Sequence, residues 1–269
     1  MTYKIYSKAS RTLVPLFFIL VLVIQISCTD DESFTKSPTA ILSFPCDTLK
    51  LDTAISGIAT STYSFVIRNH NSQGIKIVKA SLDNGEASGF QVAVDGVNIN
   101  DSYNHAIEVR KKDSITVYVK LKTKENNDDA VRTVSDKISF MLESGTIQTV
   151  TLLGYSQDVN TLSNLVIEKD TVLQSTRPFH VLGNLKVAEG KTLSIAPGTV
   201  LLFSPTSEMI VDGTLKALGT LDSAIVFRGD RLDHMFTNQP YDRIAGQWKG
   251  ITFTSTSFYN TFDFCDIHS

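Results

Sequence analysis

The segment Val181-Leu182-Gly183-Asn184-Leu185-Lys186-Val187 returns thirty residues later as Val211-Asp212-Gly213-Thr214-Leu215-Lys216-Ala217. In both copies positions one, three, five and seven are apolar or glycine, as one buried strand face requires. Between the copies lie Leu193-Ser194-Ile195-Ala196-Pro197-Gly198-Thr199 and Val200-Leu201-Leu202-Phe203, and after them Ala224-Ile225-Val226-Phe227-Arg228-Gly229. A repeat of this kind cannot bury its apolar face alone and must stack on its neighbours. Short strands at coil-length spacing, joined by glycine-rich turns, predict a parallel β-helix over residues 165–269.

Residues 40–158 carry a different pattern. Tyr63–Ile67, Ile75–Val78, Phe90–Val94, Ile115–Leu121, Ile138–Leu142 and Ile147–Leu153 alternate apolar and polar positions. Turn chemistry separates them at Asn71-Ser72-Gln73-Gly74, Asp83-Asn84-Gly85, Asp95-Gly96 and Ser144-Gly145. About seven short strands at this spacing predict an immunoglobulin-like β-sandwich. No stretch of useful length has helical periodicity, so the expected fold class is all-β throughout.

The first 27 residues read as a signal peptide. Lys4, Lys8 and Arg11 precede an apolar run of fourteen residues, Leu13 to Ile26, broken by Pro15. A spanning helix needs roughly 20 apolar residues, so the run is short for a membrane span. The run closes on Ile26-Ser27-Cys28, which resembles the bacterial lipobox, with Gln25 departing from its usual aliphatic residue. In that family the cysteine is acylated and becomes the first residue of the mature chain, which implies lipidation of Cys28. Two or more acyl chains hold a protein on a membrane where one does so marginally. The following Thr29-Asp30-Asp31-Glu32-Ser33 resembles the acidic export signal of Gram-negative outer-membrane lipoproteins, which implies an outer-membrane, cell-surface location. Residues 28–39 are polar enough to serve as the lipidated tether.

Further resemblances cover most of the mature chain. Phe44-Pro45-Cys46-Asp47-Thr48, Leu51-Asp52-Thr53, Phe90-Gln91-Val92-Ala93-Val94-Asp95-Gly96, Lys112–Val119 and Leu153-Gly154-Tyr155-Ser156-Gln157-Asp158 resemble the N-terminal domain of Gram-negative surface lipoproteins. That domain is similar to the spacer modules of abnormal-spindle and hydin-type proteins. Gly190-x-Thr192-Leu193-x-Ile195-x-Pro197-Gly198-Thr199 and Val211-x-Gly213-Thr214-Leu215-x-Ala217-x-Gly219-Thr220 resemble the opening coils of right-handed β-helix repeat proteins. Gly229-Asp230-Arg231-Leu232-Asp233 and Gly246-Gln247-Trp248-x-Gly250-Ile251-x-Phe253 follow in that family's order. The resemblance implies a right-handed coil and carries no settled activity. Members of that family continue for further coils, so the strand-like ending Phe262–Ser269 reads as that of a fragment or truncated frame, or of a short solenoid covered by a partner.

Charge and reactive residues narrow the function. The formal net charge is −3, and losing the basic leader makes the mature chain about three charges more acidic. That balance argues against nucleic acid as a partner. With Cys28 lipidated, Cys46 and Cys265 remain at opposite ends of the mature chain; their spacing sets no disulfide framework, and pairing between them stays open. No cysteine–histidine spacing suits zinc, and the Asp230–Asp233 pattern is too sparse for a calcium loop. His70, His105, His180, His234 and His268 stand in no nucleophile motif, and there is neither a P-loop nor a dinucleotide fingerprint. No catalytic residue, cofactor or metal is therefore expected.

The ligand-facing candidates are Asp230, Arg231, Asp233, Tyr241, Asp242 and Arg243, with Asp263 and Asp266 further along. Glycosidic hydrolysis needs two carboxyls at a defined separation; a solvated charged loop explains the same residues. Trp248 reads as a buried anchor of the coil rather than a sugar platform, and Phe203, Phe227 and Phe253 as interior stacking residues. Two functions remain, beside the reading of a non-functional truncated copy that does not fold beyond the sandwich. One is a lipid-anchored, non-enzymatic scaffold or binding module for a glycan or a surface protein. The other is the N-terminal part of a carbohydrate-active β-helix enzyme, a polysaccharide lyase or glycoside hydrolase.

Overall fold

The computed structural model describes residues 32–100, 106–236 and 238–268. The signal peptide, Cys28 and His105 lie outside the described residues. The described residues are all-β, and the only helical pieces among them are short 3-10 turns at Gly85–Ser88 and Tyr241–Arg243.

Nine strands build the first half: β1 (Thr48–Ile55), β2 (Tyr63–Arg68), β3 (Ile75–Leu82), β4 (Phe90–Val94), β5 (Val97–Asn98), β6 (Ile107–Val109), β7 (Ser114–Leu121), β8 (Arg132–Leu142) and β9 (Ile147–Gln157). They form a five-stranded sheet in the order β1-β9-β8-β3-β6 and a four-stranded sheet in the order β2-β7-β4-β5. Only the β1–β9 pair is parallel; the others are antiparallel. Alternation sets the faces. Val117, Val119 and Leu121 of β7 are fully buried while Tyr118 and Lys120 between them face outward. The inward set of both sheets, with Leu42, Phe65, Ile77, Phe90 and Phe140 among it, makes one core. Each such side chain contributes about 1.5–3 kcal/mol of burial free energy. The described part of the expected tether lies against this half: Gly74 donates to Ser33 O at 2.7 Å, and Thr35 donates to Gly74 O at 2.9 Å. A Cβ on Gly74 would stand 2.6 Å from the Phe34 ring, so only glycine admits that ring.

The second half holds β10 (Asn160–Ile167), β11 (Thr171–Leu173), β12 (Phe179–Val187), β13 (Thr192–Ile195), β14 (Val200–Phe203), β15 (Glu208–Val211), β16 (Thr214–Leu218), β17 (Ile225–Gly229), β18 (His234–Phe236), β19 (Gln239–Pro240), β20 (Ile251–Phe253), β21 (Thr261–Asp263) and β22 (Cys265–Ile267). Apart from the β18–β19 hairpin, every pairing here is parallel. One curled sheet runs β10-β12, after which β12 is continued by β14 and β17 at its first end and by β15 and β20 at its second; the other sheet is β11-β13-β16-β21. Interior residues stack in ladders, such as Phe179–Leu201–Phe227 and Leu165–Leu185–Met209–Ile251. They close a second, separate core that includes Phe203, Phe227 and Trp248.

The register corrects the thirty-residue repeat. Val187 pairs with Val211, twenty-four positions on, and Leu193 with Leu215, twenty-two positions on. The true equivalents are therefore Thr192-Leu193-Ser194-Ile195 and Thr214-Leu215-Lys216-Ala217. The apparent thirty-residue match joined the end of β12 to a β15–β16 turn because glycine-containing turns recreate the same apolar spacing. Gly213 lies in that turn, where a Cβ would sit 2.2 Å from Lys191 O and 2.4 Å from Ala188 O.

A single corner of the curled sheet changes from rung to rung. In β10 it is a bulge at Asn164, and in β12 a bend at Gly183, whose φ is +76°. One rung later it is the turn Ser204–Ser207, where the buried Ser207 hydroxyl donates to Val181 O at 2.8 Å. On the next rung, between β17 and β20, it is the segment 230–250. All six ligand-facing candidates read from the sequence lie on that segment.

Candidate functional site

Segment 230–250 divides those six residues into two groups. The first group is turned toward the antiparallel half. The Asp233 side chain is 6% exposed and accepts two bonds from Arg231, at 2.7 and 2.6 Å, and one from the Ser61 hydroxyl at 2.5 Å. The Arg231 guanidinium also donates to Ser61 Oγ at 2.7 Å and lies over the Tyr241 ring at 3.8 Å. A buried carboxylate without such partners would be costly. Burial raises the Asp233 pKa, but the bonds from Arg231 and Ser61 outweigh it and hold the carboxyl below the ordinary range. Beside it, Asp52 accepts the Tyr63 hydroxyl at 2.7 Å and both the backbone N–H and ring Nδ1 of His234 at 2.9 and 3.0 Å. Asp230 pairs with His180 at 3.0 Å, and the His180 side chain is 3% exposed. Asp230, Arg231, Asp233 and Tyr241 thus serve internal contacts.

A second fastening lies nearby. Asp129 accepts from Thr176 at 2.8 Å and from Arg177 Nε at 2.6 Å. Asp158 accepts the Ser56 hydroxyl and the backbone N–H groups of Asn126 and Asp128. Ser56, Ser61, Asp52, Tyr63, Asp129 and His180 were not singled out from the sequence. Their partners stand 47 to 182 positions away, except for the Asp52–Tyr63 pair, and no local pattern marks such contacts.

The second group faces solvent. Asp242 and Arg243 line a cavity of about 500 Å³ together with Ala245, Asp266 and His268. The 3-10 turn Tyr241–Arg243 presents the first two, and β22 with its following residue presents the others. One carboxylate oxygen of Asp242 stands 3.5 Å from the Arg228 guanidinium. The other, Oδ1, is buried and has no hydrogen-bond partner among the described residues. Arg228 is half-buried, and burial pushes its pKa down against the pull of Asp242 and Asp266. His268 Nε2 lies 3.7 Å from Asp266 and its Nδ1 lies 2.9 Å from Asp242 O. The wall thus carries anionic acceptors, a cationic donor and an imidazole side by side. Asp263 stands exposed on β21, away from this group. Among the described residues no set of three or more His, Cys, Asp or Glu side chains is placed to hold a metal ion.

The core that His268 is tied to is aromatic. Trp248 is 8% exposed and stacks on Phe203 with 4.2 Å between ring centroids. Its Nε1 donates to His268 O at 3.1 Å, tying the core to the cavity rim. Phe227 is buried as expected, but Phe253 is 42% exposed because β20 is an edge strand of its sheet. Cys46 and Cys265 are both free thiols, so the open disulfide alternative is not taken up.

No protein-family model matches the chain, and no curated protein matches it. Solved structures show partial likenesses. An ASH/PapD-like domain of human CEP192 is 11% identical, with a TM-score of 0.29, over 46% of this chain and 90% of that one. A family 123 glycoside hydrolase from Clostridium perfringens, described with glycolipid glycan hydrolysis, is 10% identical, with a TM-score of 0.31. That match covers 43% of this chain and 26% of the hydrolase, so the chain spans about a quarter of the hydrolase's length.

Proposed function

We propose that this chain is a lipid-anchored cell-surface binding protein that takes a glycan in the basin formed by Asp242, Arg243, Asp266 and His268. The observation that carries the reading is that Asp242, which lines the basin, keeps a buried Oδ1 without a hydrogen-bond partner among the described residues. A buried acceptor left without a donor costs about 1–3 kcal/mol. A ligand rich in hydroxyl groups supplies donors to the basin carboxylates of Asp242 and Asp266 and acceptors to Arg243. In this reading the mature chain starts at Cys28, residues 28–39 connect lipid to fold, and residues 40–158 form an immunoglobulin-like sandwich that serves as a stalk. Residues 165–269 then form a right-handed parallel β-helix that presents the basin. The sequence features of the leader support the outer-membrane location, and the parallel ladders with rungs of twenty-two to twenty-four residues support the coil.

Binding is measured on the lipoprotein purified from membranes, by calorimetry against a set of neutral oligosaccharides. The expected result is saturable binding, weakened about tenfold by Asp242→Asn, with no reducing ends released. Product release at a steady rate would replace this reading with a carbohydrate-active enzyme. A Cys28→Ala variant is expected to leave the membrane fraction on carbonate washing; retention there would remove the lipid anchor from the proposal.

A further inference from the structure

The outer face of the four-stranded sheet carries a second set of groups that neither core uses. Tyr118 sits at its centre on β7, 46% exposed. Its cross-strand neighbours are Ser64 on β2 and Ala93 on β4. Both are small, so neither directly opposite side chain covers the ring. Directly opposite pairs on a sheet lie about 4.5–5.5 Å apart, and larger partners would have shielded it. Tyr118 forms part of the wall of a cavity of about 530 Å³ over this face.

Polar groups ring the tyrosine. Lys120 follows two positions along β7, on the same face, and is paired across the strands with Gln91. Lys122 comes next on that face, and Asn98 on β5 stands opposite Ala93. Lys120 and Lys122 make no ion pair among the described residues, unlike Lys36 and Lys76, which pair with Glu143 and Glu108. Glu86 is the one carboxylate lining the cavity among the described residues. Among the described residues the face therefore has a net positive rim, an aromatic ring and amide groups, on a chain whose overall charge is negative.

We infer that this face binds an acidic, uronate-containing glycan, with a sugar ring stacked on Tyr118 and its carboxylates held by Lys120 and Lys122. The apolar C–H face of a pyranose matches an exposed phenol ring, whose hydroxyl adds a donor and an acceptor. Lysine ammonium groups take carboxylates through charge-assisted bonds, and Gln91 and Asn98 offer both donors and acceptors to ring hydroxyls. Positive charge opposite a polyanion also selects against neutral chains. The site is distinct from the Asp242 basin and stands or falls separately from it.

The test titrates the full-length protein with an oligogalacturonate and, in parallel, with a neutral cello-oligosaccharide of equal length. The expected result is binding of the acidic chain at least tenfold tighter than of the neutral one, weakening as salt rises because exposed charges are screened. Tyr118→Ala and the double variant Lys120→Ser/Lys122→Ser are each expected to lower that affinity about tenfold or more, while Asp242→Asn leaves it unchanged. Tyr118, Lys120 and Lys122 are exposed, and an unchanged melting temperature confirms folding. Equal affinity for the two oligosaccharides would overturn the assignment, as would full binding by both face variants or no binding of the acidic chain at all. Loss with Asp242→Asn alone would overturn it too, and would move the ligand to the basin. Neutral-glycan binding lost with Asp242→Asn keeps the basin reading whatever happens at Tyr118.

Discussion

The carboxylate of Asp52 receives two bonds from His234, one from the backbone N–H and one from the ring, across 182 positions of sequence. The same oxygen also accepts the Tyr63 hydroxyl. A strand of the first half and the hairpin of the second therefore share one acceptor. Replacing Asp52 by Ala leaves the Tyr63 hydroxyl and a backbone N–H without this partner. The expected loss is about 1–3 kcal/mol, read as a lower melting temperature with circular dichroism.

Tyr63 gives this contact an alkaline limit. Burial and then the hydrogen bond to Asp52 raise its pKa above that of a free phenol. A raised folded pKa means that stability is complete below the unfolded value, about 10, and is lost as pH rises through the folded value. The melting temperature is expected to fall above about pH 10 more steeply in the parent protein than in Tyr63→Phe. Parallel curves for the two proteins would refute the linkage.

Asp233 sets the acid side. Its pKa is raised by burial but lowered further by Arg231 and Ser61, and the net shift is downward. A depressed folded pKa means stability that is present above the unfolded value, about 4, and is lost as pH falls through the folded one. Asp233→Asn is expected to cost about 1.5–3 kcal/mol at neutral pH and to flatten the acid limb of a stability–pH curve. An acid limb unchanged by the substitution would show that other carboxylates carry it.

Trp248 is the only tryptophan in the chain, and it stacks on the fully buried Phe203. Its fluorescence therefore reports the second core alone. Phe203→Ala is expected to cost that core about 3–5 kcal/mol, with a red shift and earlier loss of the tryptophan signal in denaturant. A spectrum like that of the parent would contradict the packing.

Gly213→Ala tests the close approach of successive rungs. The added methyl would meet Lys191 O and Ala188 O well inside van der Waals contact. The expected penalty is about 1–3 kcal/mol, the range of overpacking, again read from Trp248. A neutral effect would mean that the β15–β16 turn is not held as described.

Local patterns were legible in the sequence, and distant ones were not. The alternation in β2, β4 and β7 announced strands because every second residue meets a core that excludes water. Trp248 was recognisable as an anchor from its size. The register of the second half was not legible. Glycine turns such as Asp212-Gly213 imitate strand spacing, and only pairing shows that Leu193 lies beside Leu215. The candidate residues were found as a segment but not as two groups. Whether a charge such as Asp233 faces a ligand or a neighbour depended on Ser61, 172 positions away. Phe253 differed for a similar reason, since edge position is a property of the sheet and not of the residue.

The corner that holds one bulged residue at Asn164, a bend at Gly183, four residues at Ser204–Ser207 and twenty-one at 230–250 leaves the ladders on either side in step. Length added there is invisible to the pairing of the strands, because both flanking strands are already fixed by the rung beneath. The scaffold thus has a position at which new surface can be acquired by insertion without renegotiating the fold. Polar residues that arrive in such an insertion are free to diversify in sequence as long as its two ends return to β17 and β20. Grafted loops of unrelated sequence at Ser204–Ser207 should be accepted on the same terms, which makes this corner a natural port for evolution and for engineering alike.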